Sequence, residues 1–487
     1  MGYFEVDREG LAKLIANRGK EFVIFELLQN AWDQKVTEVK VEFTKEPGRP
    51  LARIEVVDDD PNGFSDLSHA YTLFAESEKK DNPEQRGRWN LGEKLVLALC
   101  RSATISTTKG TVQFTKDGER INYPKKKMMK GSSVIAYIKM NTQEFKDVLL
   151  AVHTLIPPDI PTIFNGQPME QRIPITTFEA TLPTVKADAE GNLRPTKRKT
   201  IVSIYEPRDG EKPMLYEMGI PVVEFDRFHA DVGQKIPLNM DRDNVTPAYK
   251  RELRALVLAN SHDHMSEDDS AEAWVSDAME HPTMEQHPEA VDVVLTDRYG
   301  KKRAIYDPSD PEANNRLVSK GYKLIHGRSF GKSGWGTIRT TGKAEASGMI
   351  DPTKKPYSDD PNAPTVEVLP QSKYTKGMLI IKWIAKILAN RLMDVDITVR
   401  IVIPPVTTYN WGACYGHKQL DLNRNKLGKK WFDENRTPEK VLELLLHEFG
   451  HEYEMNHLSN KFHDAIARLG SKLAILLSKE PEIINDL

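Results

Sequence analysis

One stretch constrains the fold of this 487-residue chain more than any other: Phe25-Glu26-Leu27-Leu28-Gln29-Asn30-Ala31-Trp32-Asp33. On a helix, Glu26, Asn30 and Asp33 stand at i, i+4 and i+7 and form one polar stripe. Phe22 continues that stripe and Leu27 and Leu28 flank it, so the polar groups belong at the edge of buried surface. A carboxylate and an amide held there can activate water and hold a magnesium ion bound to phosphates. The plain alternative is an amphipathic helix with a solvated stripe. Residues 8–34 are expected to form one helix, followed by strands at 39–43 and 53–57.

Two further elements follow. Val57-Asp58-Asp59-Asp60-Pro61-Asn62-Gly63-Phe64 is a strand running into an acidic turn. An aspartate at such a strand end can accept a hydrogen bond from an adenine amino group, although Asp/Pro/Asn/Gly runs are also common as solvated turns. Arg86-Gly87-Arg88-Trp89-Asn90-Leu91-Gly92-Glu93-Lys94 leads into an apolar helix that ends near Cys100. Its glycines let backbone amides approach a phosphate at a helix start, and Lys94 adds a point charge.

In this order and spacing the three elements resemble the GHKL ATPases, which include DNA gyrase B, MutL, the ninety-kilodalton heat-shock chaperones and the MORC proteins. The family helix reads E-x-x-x-N-A-x-D, matched by Glu26, Asn30, Ala31 and Asp33. The resemblance implies a Bergerat-fold α/β sandwich that binds ATP with Mg2+, Glu26 being the base toward water and Asn30 the magnesium ligand. The family's adenine turn, D-x-G-x-G, gives Asp59 the right distance to Gly63, with Pro61 in place of the first glycine. Strand alternation through Ile54 and Val56 favours Asp58 instead, and both stay open. The phosphate motif G-x-x-G-x-G-x-K is matched by Gly87, Gly92 and Lys94, with Asn90 at the middle glycine.

A second domain is expected to follow. Gln234-Lys235-Ile236-Pro237-Leu238-Asn239-Met240-Asp241-Arg242-Asp243 resembles the loop of the chaperone's middle domain whose arginine reaches the γ-phosphate. The resemblance makes Arg242 that arginine and Lys235 a second γ-phosphate contact. Ile163-Phe164-Asn165-Gly166-Gln167-Pro168 resembles a hairpin of such transducer domains. Gly327-Arg328-Ser329-Phe330-Gly331-Lys332-Ser333 looks like a P-loop but is one residue short between its glycines, and is set aside.

The last 120 or so residues carry a different chemistry. Leu446-His447-Glu448-Phe449-Gly450-His451 contains H-E-x-x-H inside an apolar helix that starts near Pro438. Spacing of four puts both imidazoles on one helix face, as two ligands of one Zn2+ require, and Glu448 beside them is placed to act as base. His457 falls at the distance of a third ligand in metzincins, provided that the chain turns near Asn456. An unbroken helix would carry it off the face, leaving His463, Glu452 or Glu454 as alternatives. Upstream, Trp411–Gly416 and Leu420–Asn423 read as a strand pair, as in zincin peptidases, whose edge strand pairs with extended substrate. Region 370–487 thus resembles a small zincin domain.

Composition sets the remaining bounds. With 68 basic and 71 acidic residues the net charge is −3, so bulk electrostatic capture of nucleic acid is not evident, although a local basic groove is not excluded. Two distant cysteines, Cys100 and Cys414, make no disulfide framework. With no apolar run long enough for a membrane span or a signal peptide, the expectation is a cytoplasmic protein.

The expected fold class is α+β and multidomain. An ATP-binding domain is placed at 1–125, a transducer-like α/β domain at 126–264, a linker and small α/β connector at 265–364, and a mainly helical zincin-like domain at 365–487. The expected function is ATP binding or hydrolysis that controls a zinc-dependent peptidase, through closure of a homodimer and on an unidentified protein substrate. A nucleotide-switched binding or chaperone-like protein with a structural zinc domain is the alternative. The outline is also similar to phage-encoded ATPases of the rIIA kind.

Overall fold

The structure is a computed structural model that describes residues 10, 19–64, 66–72, 84, 92–187, 193–238, 245–353, 366–404, 411–433, 436–485 and 487. It is mixed α+β and divides into two compact units, residues 1–294 and 295–487. No helix among the described residues is long and apolar enough to cross a membrane.

The first unit opens with α1 (Glu21–Trp32). The single helix expected over 8–34 is not continuous: Gly19 adopts φ +77, a left-handed conformation that breaks a right-handed helix before Glu21. Next come β1 (Val39–Lys45) and β2 (Leu51–Asp58), then α2 (Gly92–Leu99) and the run β3 (Cys100–Thr107), β4 (Gly110–Phe114), β5 (Arg120–Tyr123) and β6 (Ser132–Lys139). Helix α3 (Thr142–His153) and the hairpin β7 (Thr162–Phe164) and β8 (Gln167–Pro168) complete the layer. The sheet order is β5-β4-β3-β6-β2-β1-β7-β8, so it runs past residue 125 to Pro168.

One face of this sheet is apolar. Val39, Val41 and Phe43 of β1 and Ala52, Ile54 and Val56 of β2 are buried in alternation, and α1 lays Val23, Ile24, Leu27, Leu28 and Ala31 into the same core. The Asn165-Gly166 hairpin belongs here and not to the second sheet, because β7 pairs in parallel with β1. Asn165 fixes that pairing by accepting from the Phe43 amide and donating to the Phe43 carbonyl.

A second sheet in the same unit, ordered β12-β11-β13-β10-β9, comprises β9 (Thr176–Ala187), β10 (Leu193–Tyr205), β11 (Met214–Glu217), β12 (Ile220–Glu224) and β13 (His229–Val232). Helix α4 (Pro247–Ser261) closes its core with Leu253 and Val257 against Leu182, Val202 and Phe228.

The second unit begins with a parallel pair, β14 (Arg303–Ile305) and β15 (Lys323–Ile325), with α5 (Pro311–Ser319) between them and α6 (Lys332–Thr341) after. Then come β16 (Glu367–Val368), α7 (Lys376–Met393), β17 (Thr398–Ile403), β18 (Ala413–Gly416), β19 (Gln419–Asn423), α8 (Pro438–Gly450) and α9 (Asn460–Lys479). The sheet order β16-β17-β19-β18 leaves β18 at an edge. His417 and Lys418, both at positive φ, form the two-residue turn of the expected β18–β19 pair. Three helices and this sheet share one core that includes Ile384, Leu388, Ile401, Leu422, Leu445, Phe449 and Leu469.

Candidate functional sites

Glu26 on α1 and Asp33 at its C-cap are buried and Asn30 is half-buried, so the polar stripe does lie at the margin of the core. The acidic turn after β2 separates the roles of its aspartates. Asp59 is consumed locally: it accepts from the Thr37 and Glu38 amides at 2.8 and 3.1 Å, accepts from the Thr37 hydroxyl, and lies 3.5 Å from Lys130. The Thr37 contacts first, with help from Glu38 and Lys130, hold its carboxyl down at about 2. Asp60 is buried and accepts from the Lys35 and Asn62 amides. Asp58 continues the buried face of β2, and burial pushes its carboxyl up to about 6, against the pull of the Asp60 and Ser132 amides.

The partner that completes this turn was not recognised from sequence. Gly131 donates its amide to the Asp60 carbonyl at 2.8 Å, and Ser132 donates its own to Asp58 at 3.2 Å. At Gly131, φ is +72, and a Cβ would stand 1.9 Å from the Asp58 carbonyl oxygen, so only glycine fits. The signal available in sequence was a glycine directly before the β-branched run of β6.

Other expected contacts are placed less closely. Gly63 closes the turn by donating to the Asp60 carbonyl. Gly92 and Lys94 lie in the first turns of α2, while Gly87 and Arg242 lie outside the described residues. Lys235 is fully buried, on a loop anchored in the second sheet: its carbonyl accepts from the Thr184 hydroxyl, and the Ile236 amide donates to Glu217. The P-loop look-alike closes on itself, Trp335 donating its indole N–H to the Gly327 carbonyl.

In the second unit the histidines of the H-E-x-x-H helix and His457 come together. Helix α8 ends at Gly450, and the chain turns through 451–456, as the third-ligand geometry requires. One nitrogen from each of His447, His451 and His457 lies within 4.8 Å of the others, and the Nε2 atoms of His447 and His457 are 3.1 Å apart. A tetrahedral zinc with bonds of about 2.1 Å spaces its nitrogens by about 3.4 Å, so the donor set fits the metal. His451 Nδ1 faces the Glu454 carbonyl at 3.3 Å, which leaves Nε2 as its ligand atom. His463 is exposed on α9, and Glu452 accepts a hydrogen bond from Tyr415, so neither joins the group.

The surroundings suit a reaction site. The Phe462 ring packs against all three imidazoles at 4.9–5.3 Å. Gly450 makes room for it, since a Cβ there would stand 2.9 Å from that ring. Glu448 is buried and lines, with the three histidines, a cleft of about 850 Å³. Trp411, Gly412, Ala413 and Cys414, leading into and along edge strand β18, form another wall, and Asp307 and Asp310 a third.

Residues 18–149 match the family model described as histidine kinase-, DNA gyrase B- and HSP90-like ATPase, which supports the GHKL reading of this stretch. Among solved structures, the crystal structure of the N-terminal domain of a DNA repair protein aligns with 50% of this chain and 93% of its own length, at 12% identity and a TM-score of 0.32. A likeness that low bears on neither fold nor function. No curated protein matches the chain.

Proposed function

We propose that this chain couples an ATP-binding GHKL domain to a zinc-dependent peptidase. The family match over residues 18–149 supports ATP binding. In the nucleotide site Asp58 accepts from the adenine amino group, and Gly131 and Ser132 hold it in place. The Asn30 side-chain oxygen is the magnesium ligand, an oxygen donor of the kind that metal prefers. Glu26 takes the proton from the attacking water. Asp33, Asp59, Gly63, Gly87, Gly92 and Lys94 shape the pocket, and Arg242 answers to the γ-phosphate from the second sheet's domain, joined by Lys235 only if nucleotide binding uncovers it. ATP binding drives homodimerisation, which sedimentation with ATP and with ADP measures.

The observation that carries the peptidase reading is the convergence of His447, His451 and His457 beside buried Glu448 in a cleft walled by an edge strand. Three imidazoles hold zinc and leave one position open; bound there, zinc supplies a Lewis acid for amide hydrolysis. Glu448 accepts a proton from water and returns it to the departing amine. Strand β18, terminal in its sheet and lining the cleft, pairs with the backbone of an extended peptide, and the cleft walls restrict water access.

The test is hydrolysis of a denatured, fluorescently labelled protein by wild-type chain and by Glu448→Gln, each with ATP and with ADP. The proposal expects cleavage that depends on nucleotide, reduced at least a hundredfold in the variant while zinc is retained. Equal rates in both proteins, or none in either with zinc bound, would leave a nucleotide-switched binding protein with a structural zinc.

A further inference from the structure

One exposed cationic segment of the first unit lies at the outer corner of its sheet. Between Lys109 and Lys130 there are seven basic residues against two acidic, in a chain whose net charge is −3. Strand β5 is the terminal strand of the sheet, and all four of its residues are exposed. The loop after it is pinned: Thr111 donates its hydroxyl to the Lys126 carbonyl at 2.7 Å, and the Met128 amide donates to the Thr107 carbonyl at 2.9 Å. Pro124 abuts the β3–β4 turn that carries exposed Lys109.

With its backbone so fixed, the loop turns Lys125, Lys126 and Lys127 to solvent, and none of them forms an ion pair among the described residues. Exposed Ile121 and Tyr123 lie on one face of β5, two residues apart. At the strand's other end the Arg120 guanidinium lies 3.8 Å over the Tyr71 ring. Lysines left unneutralised on an ordered surface, beside a ring that can stack, suit a phosphodiester chain. A membrane would need a larger apolar wedge than one fully exposed methionine, Met129.

We infer that β5 and the 124–130 loop form a nucleic-acid-binding surface, reading the phosphate backbone without regard to sequence. It is wired to the nucleotide turn. Lys130 at the end of the loop approaches Asp59 at 3.5 Å, and the next residue, Gly131, donates to Asp60. Nucleic acid on the loop therefore alters ATP affinity, and ATP alters nucleic-acid affinity by the same factor.

Fluorescence anisotropy with a labelled 20-nucleotide oligonucleotide, single-stranded and duplex, tests this over a range of salt. Each phosphate contact adds about 0.7–0.9 to the slope of log affinity against log salt. The triple variant Lys125→Glu/Lys126→Glu/Lys127→Glu is expected to lose at least tenfold in affinity and about two units of slope, with ATP still bound as proof of folding. Should it misfold, Lys125→Gln/Lys127→Gln is expected to show a smaller loss of affinity and about two thirds of the slope change. Unchanged affinity and slope in these variants would overturn the inference. So would binding to phosphatidylserine vesicles with no binding to oligonucleotide at low salt.

Discussion

His447 and His457 bring their Nε2 atoms to 3.1 Å although ten residues separate them, because α8 stops at Gly450 and the chain reverses before Asn456. Two such nitrogens cannot both carry a proton at this distance; a shared proton or a shared metal reconciles them. His451, in the same group, supplies the third donor that the proposed zinc site needs. The cleft beside them is lined by Glu448 and by edge strand β18, the two features on which the proposed hydrolysis of an extended chain rests.

Asp58 and Asp59 are neighbours with different jobs, and substitution separates them. Asp58→Asn is expected to weaken ATP binding by tenfold or more, since the adenine amino group loses a charged acceptor. Asp59→Ala should leave ATP affinity within about threefold but lower stability by about 1–3 kcal/mol, since the 37–38 backbone amides lose their acceptor. Calorimetric titration with ATP and thermal melting check both. The reverse pattern would make Asp59 the adenine contact.

The pH dependence follows from burial of Asp58, whose carboxyl rises from 3.8 to about 6. Because the folded state holds this proton more tightly, its contribution to stability falls as pH rises from about 4 to about 6 and is level above. Adenine needs the ionised acceptor, so ATP affinity is expected to rise across the same window. In Asp58→Asn that rise disappears. A wild-type affinity flat between pH 5 and pH 7 would contradict the assignment.

Tyr415 ties the edge strand to the turn beyond α8, its hydroxyl donating to Glu452 at 2.6 Å. Burial, then Glu452 itself, raises the phenol above its ordinary value, so it remains a donor. Tyr415→Phe frees the turn that returns His457. The expected result is a zinc affinity about tenfold lower with full stoichiometry still attainable. Competition with a chromophoric chelator measures it, and an unchanged affinity would assign the bond to strand packing alone.

Much of this was legible in sequence where local chemistry decides. The stripe Glu26, Asn30, Asp33 and the alternation through Ile54 and Val56 pointed to α1 and to the buried face of β2 because helix and strand periods alone fix those faces. The strand pair around His417-Lys418 was equally local. What escaped depended on distant partners. Gly131 and Ser132 complete the acidic turn after β2 across more than seventy residues, and they fell just beyond the expected domain limit. The Asn165-Gly166 hairpin was readable as a hairpin, but its parallel pairing with β1 was not. The turn that places His457 rests on Gly450 yielding space to Phe462, a contact that spacing does not encode.

The most direct test is zinc content by mass spectrometry of the purified chain and of His451→Ala. The account predicts about one zinc per chain in the wild type and almost none in the variant, with ATP binding intact in both. A wild type that holds no zinc after refolding with the metal, or a variant that keeps it, would contradict the metal site and the peptidase built on it.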